Sequence, residues 1–301
     1  VLVGGTHAPT VMTGGTSGFG AIAAERIPGA DGIRLVHSAR HAASTGEALP
    51  LDLSSLDSVR TFAATVRERS DRIDGLVLNA GMIRSDVAAR TVDGFETTFV
   101  VNHLAHYLLL RPLLPALADR AVVVATTSGT RDPATGAGLV PPRHGDAGLL
   151  AHPERDPDLD THPRKAGQHA YTASKLCTVL TMRRLSKDDT VRAGRITAVA
   201  FDPGQVFGTG LARALPTPMR LAWRGLGTRA GMFLRIVQDT FNTQTEAGNT
   251  LADLVLGDID VPDGRGYLAL RRGEPSVLAR SDEQAERSWR ESARLVGLPD
   301  R

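Results

Sequence analysis

Between Thr10 and Arg26 a short apolar strand, Thr10-Val11-Met12, runs into Thr13-Gly14-Gly15-Thr16-Ser17-Gly18-Phe19-Gly20 and then into the helical run Ala21-Ile22-Ala23-Ala24-Glu25-Arg26. A glycine cluster alone reads as a flexible loop. Set between a strand and a helix, it reads as the turn that carries a dinucleotide pyrophosphate. Gly14 allows the tight turn, Gly18 lets the backbone approach the pyrophosphate, and Gly20 lets helix and strand pack closely. N–H groups at the start of the helix then face the phosphates. Thr16, Ser17 and Phe19 belong to the same binding turn. The expected fold is therefore α/β, a doubly wound parallel sheet of the Rossmann type.

The following segments read as the rest of that sheet. The second strand, 33–40, ends in Ser38-Ala39-Arg40 with no carboxylate. An acidic residue there would hold the ribose 2′-hydroxyl of NAD, whereas an arginine takes the 2′-phosphate of NADP, so Arg40 favours NADP(H). Leu51-Asp52-Leu53 precedes an amphipathic helix over 56–69, capped by Ser54 or Ser55. Asp52 is placed to accept from the adenine amino group and Leu53 to offer its backbone. A buried strand over 73–78 ends in Asn79-Ala80-Gly81, small residues that leave room for a flat cofactor and an amide that pins the neighbouring strand. A helix is expected over 95–117, with a kink or end at Pro112 and Pro115. Asn102 is its notable polar residue. His103 and His106 have no third ligand nearby and read as packing, not metal.

The fifth strand, 121–129, is a continuous apolar run, as befits a strand covered on both faces. It ends in Thr126-Thr127-Ser128-Gly129, at the edge where open parallel sheets place ligands. Ser128 is the candidate catalytic hydroxyl, with Thr127 as the alternative. Residues 130–169 form an irregular insertion rich in Pro, Gly, Asp, His and Arg, and an ordered loop of that length is usually functional or mobile. The irregular spacing of its histidines argues against a metal site. The sixth strand, 195–201, ends in Asp202-Pro203-Gly204. Pro203 and Gly204 break it so that the backbone passes beside a nicotinamide carboxamide, followed by Val206 and then Thr209, which is placed on the cofactor phosphates. Residues 207–235, interrupted by Pro216 and Pro218, read as a helical lid over a substrate pocket. A covering helix over 246–256, a short strand over 266–270 and a polar helix over 282–295 complete a single domain, 1–301.

Tyr171 and Lys175 lie four apart in Tyr171-Thr172-Ala173-Ser174-Lys175, which puts both on one face of a helix. A free phenol has a pKa of about 10, and a neighbouring ammonium favours its ionised form. Such a pair serves as a general acid/base, and the service is worth roughly 10²–10⁴ in rate.

The 301 residues suffice for one large α/β domain. With Lys+Arg at 35 and Asp+Glu at 33 the net charge is +2, and no basic stripe with interleaved aromatics speaks for nucleic acid. A single cysteine, Cys177, excludes an internal disulfide. No apolar run reaches the roughly eighteen residues of a membrane span, and the start shows no signal-peptide pattern, so a cytoplasmic protein is expected.

With these residues in hand, the chain resembles the short-chain dehydrogenase/reductase family over roughly residues 10–270. The likeness rests on Thr13–Gly20, Asn79-Ala80-Gly81, Asn102, Ser128, Tyr171–Lys175 and Pro203-Gly204, in that order. Within the family it looks most like the retinol dehydrogenase and protochlorophyllide reductase branch, through Val101-Asn102-His103-Leu104-Ala105-His106-Tyr107-Leu108-Leu109, Leu139-Val140-Pro141-Pro142 and Tyr171 to Cys177. The resemblance implies the roles. Tyr171 protonates a carbonyl oxygen as hydride arrives from the nicotinamide. Lys175 holds the nicotinamide ribose and lowers the Tyr171 pKa. Ser128 hydrogen-bonds the carbonyl oxygen, and Asn102 anchors a water joining Lys175 to solvent. The expected reaction is NADPH-dependent reduction of a ketone or aldehyde of a fairly bulky apolar molecule. The alternatives are C=C reduction of a conjugated substrate and a non-catalytic NADP(H)-binding sensor or scaffold. The resemblance also implies a homo-oligomer built helix to helix, unless the enlarged insertion blocks it.

Overall fold

Short apolar runs that alternate with helices leave parallel pairing as the way for consecutive strands to meet. The computed structural model describes residues 8–29, 33–39, 47–131, 138–207, 241–261, 266–270 and 275–300. Its main sheet holds β1 (Thr10–Thr13), β2 (Leu35–Ala39), β3 (Glu47–Pro50), β4 (Ile73–Leu78), β5 (Leu117–Thr126), β6 (Thr197–Asp202) and β9 (Tyr267–Ala269). The strand order is β3-β2-β1-β4-β5-β6-β9, parallel throughout. A small parallel pair, β7 (Gln205–Val206) with β8 (Phe241–Asn242), follows β6. The chain winds outward from β1 to β3 and then crosses to β4. The strand order therefore reverses between β1 and β4, and a cleft opens at the carboxyl ends of those strands.

Both faces of the sheet are buried. On one lie α1 (Gly18–Arg26) and α8 (Gln244–Leu256), against Met12, Val77, Val124 and Phe201. On the other lie α2 (Leu56–Arg69), α4 (Ala105–Leu113) and α6 (Pro163–Leu185), against Val11, Leu76 and Val123. Ser55, not Ser54, caps α2, accepting from the Ser58 N–H. At the carboxyl end of the chain, α9 (Asp282–Leu295) hides a stripe of Ala285, Ser288, Trp289, Ser292 and Ala293. Trp289 stands edge-on to Tyr107 at 4.9 Å, with the guanidiniums of Arg111 and Arg184 over its ring.

Three local expectations change, and one strand was not anticipated: the third, Glu47–Pro50, lies just before Leu51-Asp52-Leu53. The expected 95–117 helix is divided into α3 (Thr97–Phe99), a π turn over Val100–Leu104 and α4. After a 3-10 turn around Pro115, β5 begins at Leu117, four residues early. The charged pair Asp119-Arg120, with Arg120 at φ +62°, makes that first part look like a loop in sequence. Part of the insertion is helical: α5 (Ala147–Ala151) is capped by Asp146, and α6 starts at Pro163, seven residues before Ala170. Proline is favoured in the first helical turn because its missing N–H is unneeded there. A further short helix, α7 (Asp189–Ala193), leads into β6. Arg40, Thr209 and the lid beyond Phe207 lie outside the described residues. Among the described residues no helix is long and apolar enough to cross a membrane.

Candidate active site

The glycine turn closes on itself. Gly14 and Gly18 have φ of +70° and +60°, a region that residues with a side chain rarely adopt. A Cβ on Gly20 would lie 2.2 Å from the Gly14 carbonyl oxygen and 2.4 Å from the Asn79 amide nitrogen. Its close approach is thus to the turn and the end of β4, not to the strand face. Gly20→Ala is expected to cost about 2 kcal/mol or more of stability. A urea midpoint within error of wild type would show that the turn is not clamped there. Thr16 and Ser17 are exposed, and Ser17 occupies the N-cap of α1 without a side-chain cap bond. Phe19 is half-buried and joins the core beneath.

Asn79 braces three strands. Its Nδ2 donates to the Gly14 carbonyl, its Oδ1 accepts from Thr126 Oγ1, and its backbone N–H donates to Thr13 Oγ1. Ala80 donates to the same hydroxyl, and Gly81 is exposed at the mouth of the cleft. A Cβ on Gly81 would meet Lys175 Nζ at 3.3 Å and Asn102 Oδ1 at 3.4 Å, so both groups flank one spot. Asp52 lies just past β3 with Oδ1 committed to the Ser54 N–H and hydroxyl, and Leu53 is half-buried beside it.

Helix α6 carries Tyr171 and Lys175 into this cleft, both buried. Lys175 Nζ donates to the Thr126 carbonyl at 2.9 Å. An ammonium has three donors, and the other two have no partner among the described residues. Thr127 donates its hydroxyl to the Lys175 carbonyl, so it ties β5 to α6. Ser128, one residue on, accepts from the Thr130 hydroxyl at 2.9 Å, and its side chain acts to lower the pKa of the Tyr171 phenol. The two candidate hydroxyls are thus separated: Thr127 is committed to the α6 backbone, and Ser128 is the one that acts on the phenol.

The π turn presents Asn102 to the same place. Its Oδ1 accepts from the Met82 N–H, and its Nδ2 donates to the Met82 carbonyl and to Ser174 Oγ. Ser174, inside the Tyr-to-Lys stretch, also donates to the Tyr171 carbonyl. On the far side, Gly204 has φ +70°, and Asn242 Nδ2 donates to the Pro203 carbonyl. Val206 is buried in the short β7–β8 pair that follows.

One electrostatic expectation is corrected. The Tyr171 pKa is not depressed: burial pushes it up to about 12, against the lowering influence of the Ser128 side chain, and the Asp202 carboxylate pushes the same way as burial. Burial lowers Lys175 to about 8, with Asp202 acting in the opposite sense. The spacing does put both residues on one helix face, but the lysine tip reaches to β5, and burial is the largest influence on each group. Asp202 is itself buried, accepting from Gly204 N–H at 2.9 Å and from the Tyr267 hydroxyl at 2.8 Å. Sequence reasoning missed Asp202, Thr130 and Ser174 as parts of this site. An acid directly before Pro-Gly at a strand end was the available signal for the first.

The close glycine contacts, the positive-φ turn and the buried lysine beside exposed Gly81 suit a flat, phosphate-bearing ligand laid across the strand ends. Among the described residues no group of three metal-ligating side chains comes together.

Comparison with known proteins gives the family and the fold. A family model described as short chain dehydrogenase matches residues 9–136. Protochlorophyllide reductase A of Oryza sativa subsp. japonica is 30% identical over 96% of this chain and 80% of its own length. Human retinol dehydrogenase 13 is 34% identical over 82% of this chain and 68% of its own. Among solved structures, a protein from Mycobacterium paratuberculosis shares the fold with a TM-score of 0.64 at 24% identity, covering 98% of this chain and 95% of that one. A short chain dehydrogenase from Burkholderia cenocepacia, solved in complex with NADP, gives a TM-score of 0.58 at 22% identity, covering 87% of this chain and 95% of that one.

Proposed function

This chain belongs to the short-chain dehydrogenase/reductase family, in its retinol dehydrogenase and protochlorophyllide reductase branch, and we propose that it reduces the carbonyl of a fairly bulky apolar ketone or aldehyde with NADPH. The observation that carries this reading is that α6 brings buried Tyr171 and Lys175 to the carboxyl end of β5, where Lys175 Nζ bonds the Thr126 carbonyl and Ser128 follows two residues on.

Gly14, Thr16, Ser17, Gly18, Phe19 and Gly20 would hold the pyrophosphate half of NADPH, and Asn79, Ala80 and Gly81 would line its middle. Pro203, Gly204 and Val206 would flank the nicotinamide. Asp52 and Leu53 would meet the adenine, and Arg40 and Thr209 take the phosphates. When bound, NADPH supplies a hydride to the carbonyl carbon. Ser128 donates to the carbonyl oxygen and stabilises the charge that develops there. Tyr171, protonated at neutral pH by its raised pKa, delivers the proton that turns the nascent alkoxide into a hydroxyl. Lys175 uses its remaining donors on the ribose. Asn102 Oδ1, with one acceptor site left beside Lys175, anchors the water through which the proton is replaced.

The test is NADPH deuterated at the transferring position, offered with a panel of bulky apolar ketones and aldehydes. Label is expected on the carbinol carbon of the product. C=C reduction, which the likeness to protochlorophyllide reductases favours, would instead place it on a saturated carbon. Binding of NADPH with no label transferred to any compound would leave the sensor reading standing.

A further inference from the structure

Of the groups around the cleft that this mechanism leaves unused, His106 has the most completely defined contacts. It is buried on α4, with Nδ1 at 3.2 Å from the Asn102 carbonyl and Nε2 at 2.9 Å from Thr13 Oγ1. A carbonyl only accepts, so Nδ1 carries the proton and Nε2 is left as an acceptor. Thr13 Oγ1 takes N–H bonds from Asn79 and Ala80 at 3.0 and 3.2 Å, which fills its two acceptor sites. Its own proton then goes to His106 Nε2, the nearer of two acceptors, the other being the Val77 carbonyl at 3.4 Å. Each polar atom in this chain is satisfied in one tautomer.

We propose that His106 is a positioning residue which, as a neutral imidazole protonated on Nδ1, locks the nucleotide turn and the end of β4 to the π turn that presents Asn102. This rests on reading the cleft as a dinucleotide site. On one side of the ring is the hydroxyl that fixes the Asn79 and Ala80 peptides. On the other is the carbonyl of the residue whose amide holds Met82 and Ser174. A π turn shifts carbonyls out of the regular ladder, and a side-chain donor steadies the one at Asn102. A charged ring would face the Lys175 ammonium and lie near His103. Burial and that ammonium together hold the His106 pKa down to about 4, which keeps it neutral across the physiological range.

The two ring nitrogens allow the two duties to be separated. Glutamine reaches toward the Nε2 position and asparagine toward the Nδ1 position. His106→Phe is expected to weaken NADPH binding, titrated by fluorescence without substrate, by roughly tenfold or more, the usual loss for a buried polar group deprived of its partner. His106→Gln should recover most of that affinity, whereas His106→Asn should recover kcat in preference to affinity. Imidazole ¹⁵N spectra of the wild-type protein should show a protonated Nδ1 and a bare Nε2, unchanged from about pH 5 to pH 8, where an ordinary histidine titrates. Wild-type affinity in the Phe variant, equal losses in the Gln and Asn variants, or a ring that titrates in that range would each overturn the proposal. Should the Phe variant fail to fold, judged by circular dichroism, the spectra and the Gln–Asn comparison still decide. The spectra and the NADPH titrations need no turnover, so they remain readable if the carbonyl-reductase reading is wrong.

Discussion

Tyr171→Phe is expected to lower kcat by about 10²–10⁴-fold, the usual worth of a positioned general acid, while NADPH affinity changes by no more than about twofold. The substitution removes one oxygen from a buried site and keeps the ring. Ser128, supported by Thr130, still stands where a carbonyl oxygen would dock. The variant should therefore bind both ligands and fail only at proton delivery. The pH dependence follows from the shifts at the site. With its pKa raised to about 12, Tyr171 keeps its proton throughout the neutral and mildly alkaline range, so reductive turnover should not fall on its account there. A decline above about pH 8 belongs to Lys175, which loses its charge in that region. Turnover in the Phe variant within about threefold of wild type would remove Tyr171 from the chemistry.

Lys175→Met is expected to cost turnover about 10²-fold or more and yet to leave the folded protein no less stable at pH 7. Burial lowers this lysine from 10.5 to about 8. Between those values the unfolded chain keeps a proton that the folded chain has released, so stability rises with pH through that window. Below pH 8 the full penalty applies, about 3 kcal/mol at 1.36 kcal/mol per pKa unit. Methionine fills a similar volume without charge. Against this gain, the Thr126 carbonyl loses its partner, at about 1–3 kcal/mol. The two effects are of similar size, and the melting temperature at pH 7 should hold or rise. The advantage of the variant over wild type should shrink from pH 7 to pH 10, as the penalty on the lysine fades. A variant melting well below wild type at both pH values would mean that the ammonium is a net structural support.

The parts of the site most legible from residues are those whose geometry is local. Gly14 and Gly18 sit in the left-handed region that the turn requires, and α2 spans the expected Leu56–Arg69 with Ser55 at its cap. The third strand was not legible because Glu47-Ala48-Leu49-Pro50 carries a charge and a proline. It is a strand only because β2 offers it an edge. The break in the 95–117 helix was foreseen at its prolines but not at Asn102, where the π turn lies. Nothing in Val100-Val101-Asn102-His103-Leu104 is a helix breaker. The extra residue in that turn is held by the partners that Asn102 and His106 find outside the helix.

Read by itself, the sequence determined the class of sheet, the glycine turn and the placement of Tyr171 and Lys175 on one helix face, because each depends on residues a few positions apart whose spacing dictates which way their side chains point. The tertiary structure alone decided that Thr13 meets His106, 93 positions away, and that Tyr267 meets Asp202, 65 positions away. It also decided that burial dominates the Tyr171 pKa. Such contacts depend on the order in which strands cross and on how deeply a group is taken out of water, and neither quantity is carried by any short stretch of residues.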